Sequence, residues 1–309
     1  MINDRATQPS SSGQVEKETP APQVSAEFRP VIAQLASEGL RLKEALGADL
    51  EAGTHHLAAI FQNTKKKEAF QEYEFRIIES DGRAAKTIYR RAEFFYSFDL
   101  DDAEANKLNG TDINGDGIKE IIVQSSSGGN CWSCNPTEIY QVKNHKAELI
   151  AAGPVQKIVD LNKDGVQELV ITDARWEAYD DFSHASAPGA FIIYTWRNGK
   201  YVYASRDFPD YYKTEIERLR KEIEQAKADI TADELSDESY TGLAVSLAIT
   251  YAHAGDVERG LKELETLLNS NVKSPAQAKH RAEILEDFRK GESNAKLREM
   301  KPGDPMPLG

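Results

Sequence analysis

The sequence predicts a multidomain α+β protein in which an antiparallel β-region precedes an α-helical one. Apolar residues recur at helical spacing near the N-terminus, alternate with polar ones from about Gln71 to Tyr203, and return to helical spacing after Pro209. Inside the β-region an acidic, glycine-containing loop occurs twice, each time directly before an apolar β-branched run. A chain of 309 residues can bury a sizeable core and is long enough for about two domains.

Residues 1–24 are rich in Ser, Pro, Gln and Glu, have little apolar surface to bury, and are expected to form a disordered tether. Residues 25–68 are expected to be helical. Phe28, Val31, Ile32, Leu35, Leu42 and Leu46 share one helical face and Pro30 suits a first turn, which predicts a helix over residues 26–46. His55 and His56 fall in a second, shorter helical-looking stretch and are expected to be ordinary, partly exposed side chains rather than metal ligands.

Residues 69–205 are expected to be strand-rich. Tyr73, Phe75 and Ile77 alternate with charged residues, and Ser80-Asp81-Gly82 signals a turn before strands around 87–89 and 93–98. Further strands are expected around 119–125, 137–142, 147–151, 155–160, 167–172, 190–196 and 200–204, with Arg197-Asn198-Gly199-Lys200 as a hairpin turn.

Residues 206–300 return to the helical period. Tyr212, Ile216, Leu219, Ile223 and Ala226 step by three and four, which predicts one long amphipathic helix. Leu247, Ala248, Tyr251, Gly255, Asp256, Gly260, Leu264 and Leu267 follow at spacings that resemble one tetratricopeptide unit, with Gly260 where that family prefers Ala. The resemblance implies a pair of crossing helices used for protein docking. A last helix from Ser274 to about Met300 is expected to cap its open side, leaving residues 301–309 as a tail.

The repeated loops carry the most chemistry. Asp112, Asn114, Asp116 and Glu120 occupy the first, third, fifth and ninth places of one, and Asp160, Asn162, Asp164 and Glu168 those of the other, with Gly117 and Gly165 at the sixth. Hard oxygen donors at these intervals suit calcium, with the carbonyls of Ile118 and Val166 as further ligands. A helix-loop-helix calcium site needs a bidentate Glu at the twelfth place, but those places hold Val123 and Ile171 inside apolar runs that read as strands. The loops begin 48 residues apart, the span of about one four-stranded blade. On these residues the chain resembles the FG-GAP, or VCBS, calcium-loop repeats of integrin-α-type β-propellers, although the ninth ligand is Glu where the family usually has Asp. The resemblance implies antiparallel blades of a partial β-propeller, bound Ca2+ and a non-enzymatic protein-interaction role.

Two other segments stand out. Cys131 and Cys134 sit in a glycine-rich loop with Trp132; the pair reads as a disulfide or as two free thiols, since a zinc site would need two more ligands and only His145 is near. Trp176, Tyr179 and Phe182 occur in a polar loop and, with Trp132, form the candidate partner-contact face. Asp180, Asp181 and His184 allow an alternative, a hydrolase or thiol-redox protein using the Cys131 and His184 loops, but no nucleophile, phosphate-loop, zinc-helix or dinucleotide motif accompanies them.

A net charge of −13 disfavours nucleic acid and anionic membrane surfaces as partners. No apolar stretch reaches the roughly 18 residues of a spanning helix. The expected partner is another protein, in a homo-oligomer or a larger assembly. A periplasmic or extracellular location is expected, because weak calcium loops fill and paired cysteines stay oxidised there; the opening residues carry no basic-then-apolar leader.

Overall fold

A computed structural model of the protein describes residues 22–51, 53–65, 72–100, 103–129, 131–180, 182–183, 186–230 and 234–308. The expected tether at residues 1–24 lies almost entirely outside the described residues, as do Asp181 and His184. The chain is α+β, with three four-stranded antiparallel sheets among the described residues and most of the helices described C-terminal to them.

The first helix, α1 (Arg29–Ser37), is much shorter than the expected 26–46. Gly39, at φ +92°, turns the chain out of the helix, and Leu40–Ala48 becomes strand β1. Leu42 and Leu46 continue a helical step from Leu35, which is what suggests a helix, but in β1 an irregularity between Leu42 and Glu44 leaves Leu40 and Leu42 facing α1 and Leu46 facing the second sheet. The β-region therefore begins at Leu40, well before residue 69. The stretch holding His55 and His56 is likewise strand β2 (His55–Asn63), and β3 (Tyr73–Ser80) and β4 (Ala85–Glu93) complete the first sheet.

The second sheet runs β5 (Phe95–Ser97), β6 (Ile121–Ser126), β7 (Thr137–Lys143) and β8 (Lys146–Gly153), with short helix α2 (Ala103–Leu108) ahead of β6. The third runs β9 (Val155–Val159), β10 (Glu168–Thr172), β11 (Phe191–Arg197) and β12 (Lys200–Tyr203). In every sheet consecutive strands are neighbours.

The sheets stack face to face. Leu57, Ala59 and Phe61 of β2 pack against Phe28 and Leu35, while the alternate residues Ala58 and Ile60 join Phe75 and Ile77 against Ile121, Val123 and Tyr140 of the second sheet. Ile122, Ile139 and Ala151 on the reverse of that sheet meet Leu169, Ile171 and Ile192 of the third. Val170 and Ile193 then face Phe208 and Tyr212 at the start of α3 (Pro209–Asp229). Burial on both faces is the reason the central strands read as unbroken apolar runs rather than as clean alternation.

Beyond α3 lie α4 (Glu234–His253), α5 (Val257–Leu268), α6 (Pro275–Lys290) and α7 (Glu292–Glu299). Gly260 lets α4 and α5 cross closely, since a Cβ there would stand 2.7 Å from the carbonyl oxygen of Ala248. The single last helix expected from Ser274 is two helices, broken at Gly291. The C-terminal tail pairs with the edge of β12: Tyr203 donates to the Asp304 carbonyl at 2.8 Å and Met306 to that of Tyr201 at 2.9 Å, covering an otherwise open strand.

Candidate functional site

Both acidic loops connect the first strand of a sheet to its second, and both close on themselves through Asx bonds. Asp112 accepts the amides of Gly115 at 2.8 Å and Gly117 at 2.9 Å, Asn114 that of Asp116 at 3.0 Å, and Asp116 that of Ile118 at 3.0 Å. In the second loop Asp160 accepts Asp164 at 3.1 Å and Gly165 at 2.9 Å, and Asp164 accepts Val166 at 2.9 Å. Gly117 and Gly165, at φ +85° and +91°, permit these bends. The ninth-place acids turn inward: Glu120 accepts the Ile113 amide at 2.7 Å and Glu168 the Leu161 amide at 2.9 Å.

The two loops differ in how far their carboxylates converge. Asp112, Asp116 and Glu120 each offer an oxygen, all within 4.8 Å of one another, and no such carboxylate cluster forms in the second loop among the described residues. There Asn162 donates to Asp164 at 2.9 Å and Thr195 donates to Glu168 at 2.9 Å. Glu120 is fully buried. Removal from water, with Asp112 and Asp116 adding repulsion against the hydrogen bonds from Ile113 and Gln141, raises its pKa to about 7. Burial raises Glu168 as well.

Polar groups outside the loop motif complete the site. Gln141 donates its amide to Glu120 at 2.6 Å and to Asp116 at 3.0 Å, and the Lys143 ammonium lies 3.3 Å from Asp116. The Gln141 carbonyl oxygen and the Tyr201 hydroxyl are buried without a hydrogen-bond partner among the described residues. Burial together with Glu120 and Glu168 pushes the Tyr201 pKa well above its ordinary value. Gln141 lies in the strand expected around 137–142, between Tyr140 and Val142. The sequence carried no signal for Tyr201. Three carboxylates that converge in this way, one of them buried, could hold a metal ion through oxygen donors.

The expected partner face is mostly internal. Trp176 is fully buried and stacks on Phe288 of α6, with ring centroids 5.6 Å apart. Tyr179 is also buried, and Phe182 packs beside it at 6.0 Å, so this loop joins the third sheet to the helices because its large rings have more apolar surface than water tolerates. Trp132 and Phe182 are half-exposed, and the Trp132 ring lies beside Gly189 at the edge of that junction. Cys131 and Cys134 are disulfide-bonded, with Cα atoms 5.0 Å apart. Glu177 accepts the amide of Trp132 and the Ser133 hydroxyl, the latter at 3.1 Å, which ties the disulfide loop to the aromatic one. Beside it lies a cleft of about 240 Å³ lined by Leu100, Gln124, Trp132, Pro154, Lys157 and Ile158.

Asp180, considered above for acid-base chemistry, contacts His280 at 2.8 Å on α6 instead. His56 is buried, contrary to the expectation of a partly exposed ring, because β2 is a central strand; His55 beside it is exposed. Among the described residues no helix is long and apolar enough to cross a membrane. Compared with protein-family models, with curated proteins and with solved structures, the chain matches none.

Proposed function

We propose that this protein is a non-enzymatic, calcium-braced protein-interaction module. The observation that carries the reading is the convergence of Asp112, Asp116 and buried Glu120 within 4.8 Å in a loop of calcium-ligand spacing. A cation there neutralises carboxylates that burial otherwise penalises, and its binding energy becomes folding energy. The second loop, with Asp160, Asn162, Asp164 and Glu168, is the weaker site.

The three stacked meanders are read as blades of a partial propeller of the FG-GAP or VCBS kind, with α4 and α5 as a tetratricopeptide-like pair. Supporting this, the acidic loop occupies the same first-to-second-strand connection in two of the sheets. The cleft beside Trp132 is the face we assign to a protein partner, outside the cytoplasm where calcium is plentiful and the disulfide persists.

Thermal melts in chelator and then in millimolar calcium test the reading, with the Asp112→Ala, Asp160→Ala double variant alongside. Calcium at a hundredfold excess over its dissociation constant should stabilise the native protein by roughly 2.7 kcal/mol per site. The double variant should lose that response. A native protein whose melting temperature ignores calcium would remove the basis for the proposal.

A further inference from the structure

The first sheet carries no acidic loop of this kind, yet its corresponding connection, between β1 and β2, brings Glu51 to a different cluster. Ligand atoms of Glu51, Glu79 on β3 and His145 in the β7–β8 turn lie within 4.8 Å of one another. The His145 Nδ1 stands 2.8 Å from Glu79 Oε2 and 3.6 Å from Glu51 Oε2. The Glu51 carboxylate is held in place by the backbone amides of Asn144 at 2.8 Å and His145 at 3.0 Å.

An independent feature points into the same cluster. His56 is 1% exposed, and neither ring nitrogen has a hydrogen-bond partner among the described residues. Its Nε2 faces Glu79 Oε2, the oxygen that also meets His145, at 3.5 Å. Buried imidazole nitrogens are ordinarily paired, so a ring in this state is short of a partner. Lys86 occupies the other oxygen of Glu79, Oε1, at 3.2 Å and leaves Oε2 to the cluster.

We propose that Glu51, His56, Glu79 and His145 form a zinc-type transition-metal site that clamps the first sheet to the second. Two imidazoles with two carboxylates make a borderline-soft donor set, unlike the all-oxygen loops, and therefore select zinc over calcium. Zinc at about 2.0–2.1 Å from each of four tetrahedral ligands sets neighbouring donor atoms roughly 3.3 Å apart. The separations of 3.5 and 3.6 Å already approach that spacing. Binding requires the His145–Glu79 contact to open and the His56 ring, which lies outside the set of ligand atoms within 4.8 Å, to draw in toward Glu51 and His145; His145 sits on an exposed turn. The backbone amides on Glu51 supply the outer hydrogen bonds that orient a coordinating carboxylate. The site does not depend on calcium in the other loops.

Untagged full-length protein, stripped with chelator, should be titrated with Co2+ as a spectroscopic substitute for Zn2+. One equivalent should develop the intense visible absorption of tetrahedral cobalt, Zn2+ should abolish it, and millimolar calcium should not. His145→Asn is the main variant, because Asn tolerates the φ of +61° at this turn and the side chain is exposed. It should weaken Co2+ binding roughly tenfold or more, with a circular-dichroism spectrum like that of the native protein. Glu79→Gln should do the same, and Asp112→Ala should bind Co2+ as the native protein does. Absence of the tetrahedral band in the native protein, its persistence in both His145→Asn and Glu79→Gln, or its loss in Asp112→Ala would each overturn the proposal.

Discussion

The backbone amide of Gln167 donates to the carbonyl of Ile113 at 2.7 Å, so the two acidic loops touch. Ile113 is buried and its own amide is held by Glu120, while Gln167 immediately precedes Glu168. Ordering one ninth-place carboxylate therefore positions the backbone that borders the other. If both loops take calcium, their affinities should be coupled. Calcium titration calorimetry on Asp112→Ala and Asp160→Ala should show each variant weakening the remaining site by a factor of about 2–5, a coupling of roughly 0.5–1 kcal/mol. Remaining sites with native affinity would mean that the contact transmits nothing.

Glu120→Gln should separate the cost of the buried charge from its use. Without calcium the native protein carries a carboxyl whose pKa burial has raised to about 7, so above that pH its ionised form opposes folding. The amide removes the charge, and Asn114 and Gln141 can turn their own amides to meet it. At pH 8 in chelator the variant should be more stable by roughly 1–2 kcal/mol, and in calcium it should be less stable than the native protein. Denaturant titrations in both conditions read the reversal. A variant less stable in both would show that Glu120 serves the fold alone.

Asp173 joins the third sheet to the helices. It accepts Trp176 Nε1 at 3.1 Å, Arg175 at 2.6 Å and His253 of α4 at 3.0 Å, and His253 in turn meets the Tyr203 hydroxyl at 3.2 Å. Burial alone would raise the Asp173 carboxyl, but the hydrogen bonds and charges of Arg175 and His253 overcome it and hold the pKa well below the ordinary 3.8. Because the folded value is depressed, the stability it contributes is present above 3.8 and declines as pH falls below that value. Asp173→Asn should cost about 3–5 kcal/mol at neutral pH by leaving Arg175 without its buried partner. Its stability should also fall less steeply than that of the native protein below pH ~4. Equal acid slopes in urea-melt series would dismiss the carboxylate as the acid-sensitive group.

The central strands and the long α3 were legible because their periods are unmixed. Ile121-Ile122-Val123 and Leu169-Val170-Ile171 admit no amphipathic helix, and the duplicated Asp-Asn-Asp-Gly spacing marked the loops. The segment after Ser37 was not legible, because Leu42 and Leu46 continue the helical step from Leu35, while the irregularity between Leu42 and Glu44 that splits the leucines of β1 between its two faces leaves no clean alternation. The aromatic loop misled for a related reason. Trp176 and Tyr179 sit among polar neighbours in the chain, but α6, more than a hundred residues later, supplies the apolar surface that buries them. His56 was unreadable in the same way, since its neighbour Glu79 comes from another strand.

Stacking at that junction gives the last prediction. Trp176 lies nearly parallel to Phe288, at 15°, with Tyr179 edge-on to both at 5.7 Å and the Lys296 ammonium 5.5 Å from the indole. Trp176→Ala would open a cavity between the third sheet and α6 and also leave Asp173 without its indole donor. A loss of about 3–5 kcal/mol is expected from the deleted ring. Because the acidic loops belong to other connections, the variant should keep the calcium response of the native protein. Melting curves of Trp176→Ala in chelator and in calcium test both halves: a lower melting temperature with an unchanged calcium increment is expected. A lost increment would instead tie the calcium loops to the packing of the helices.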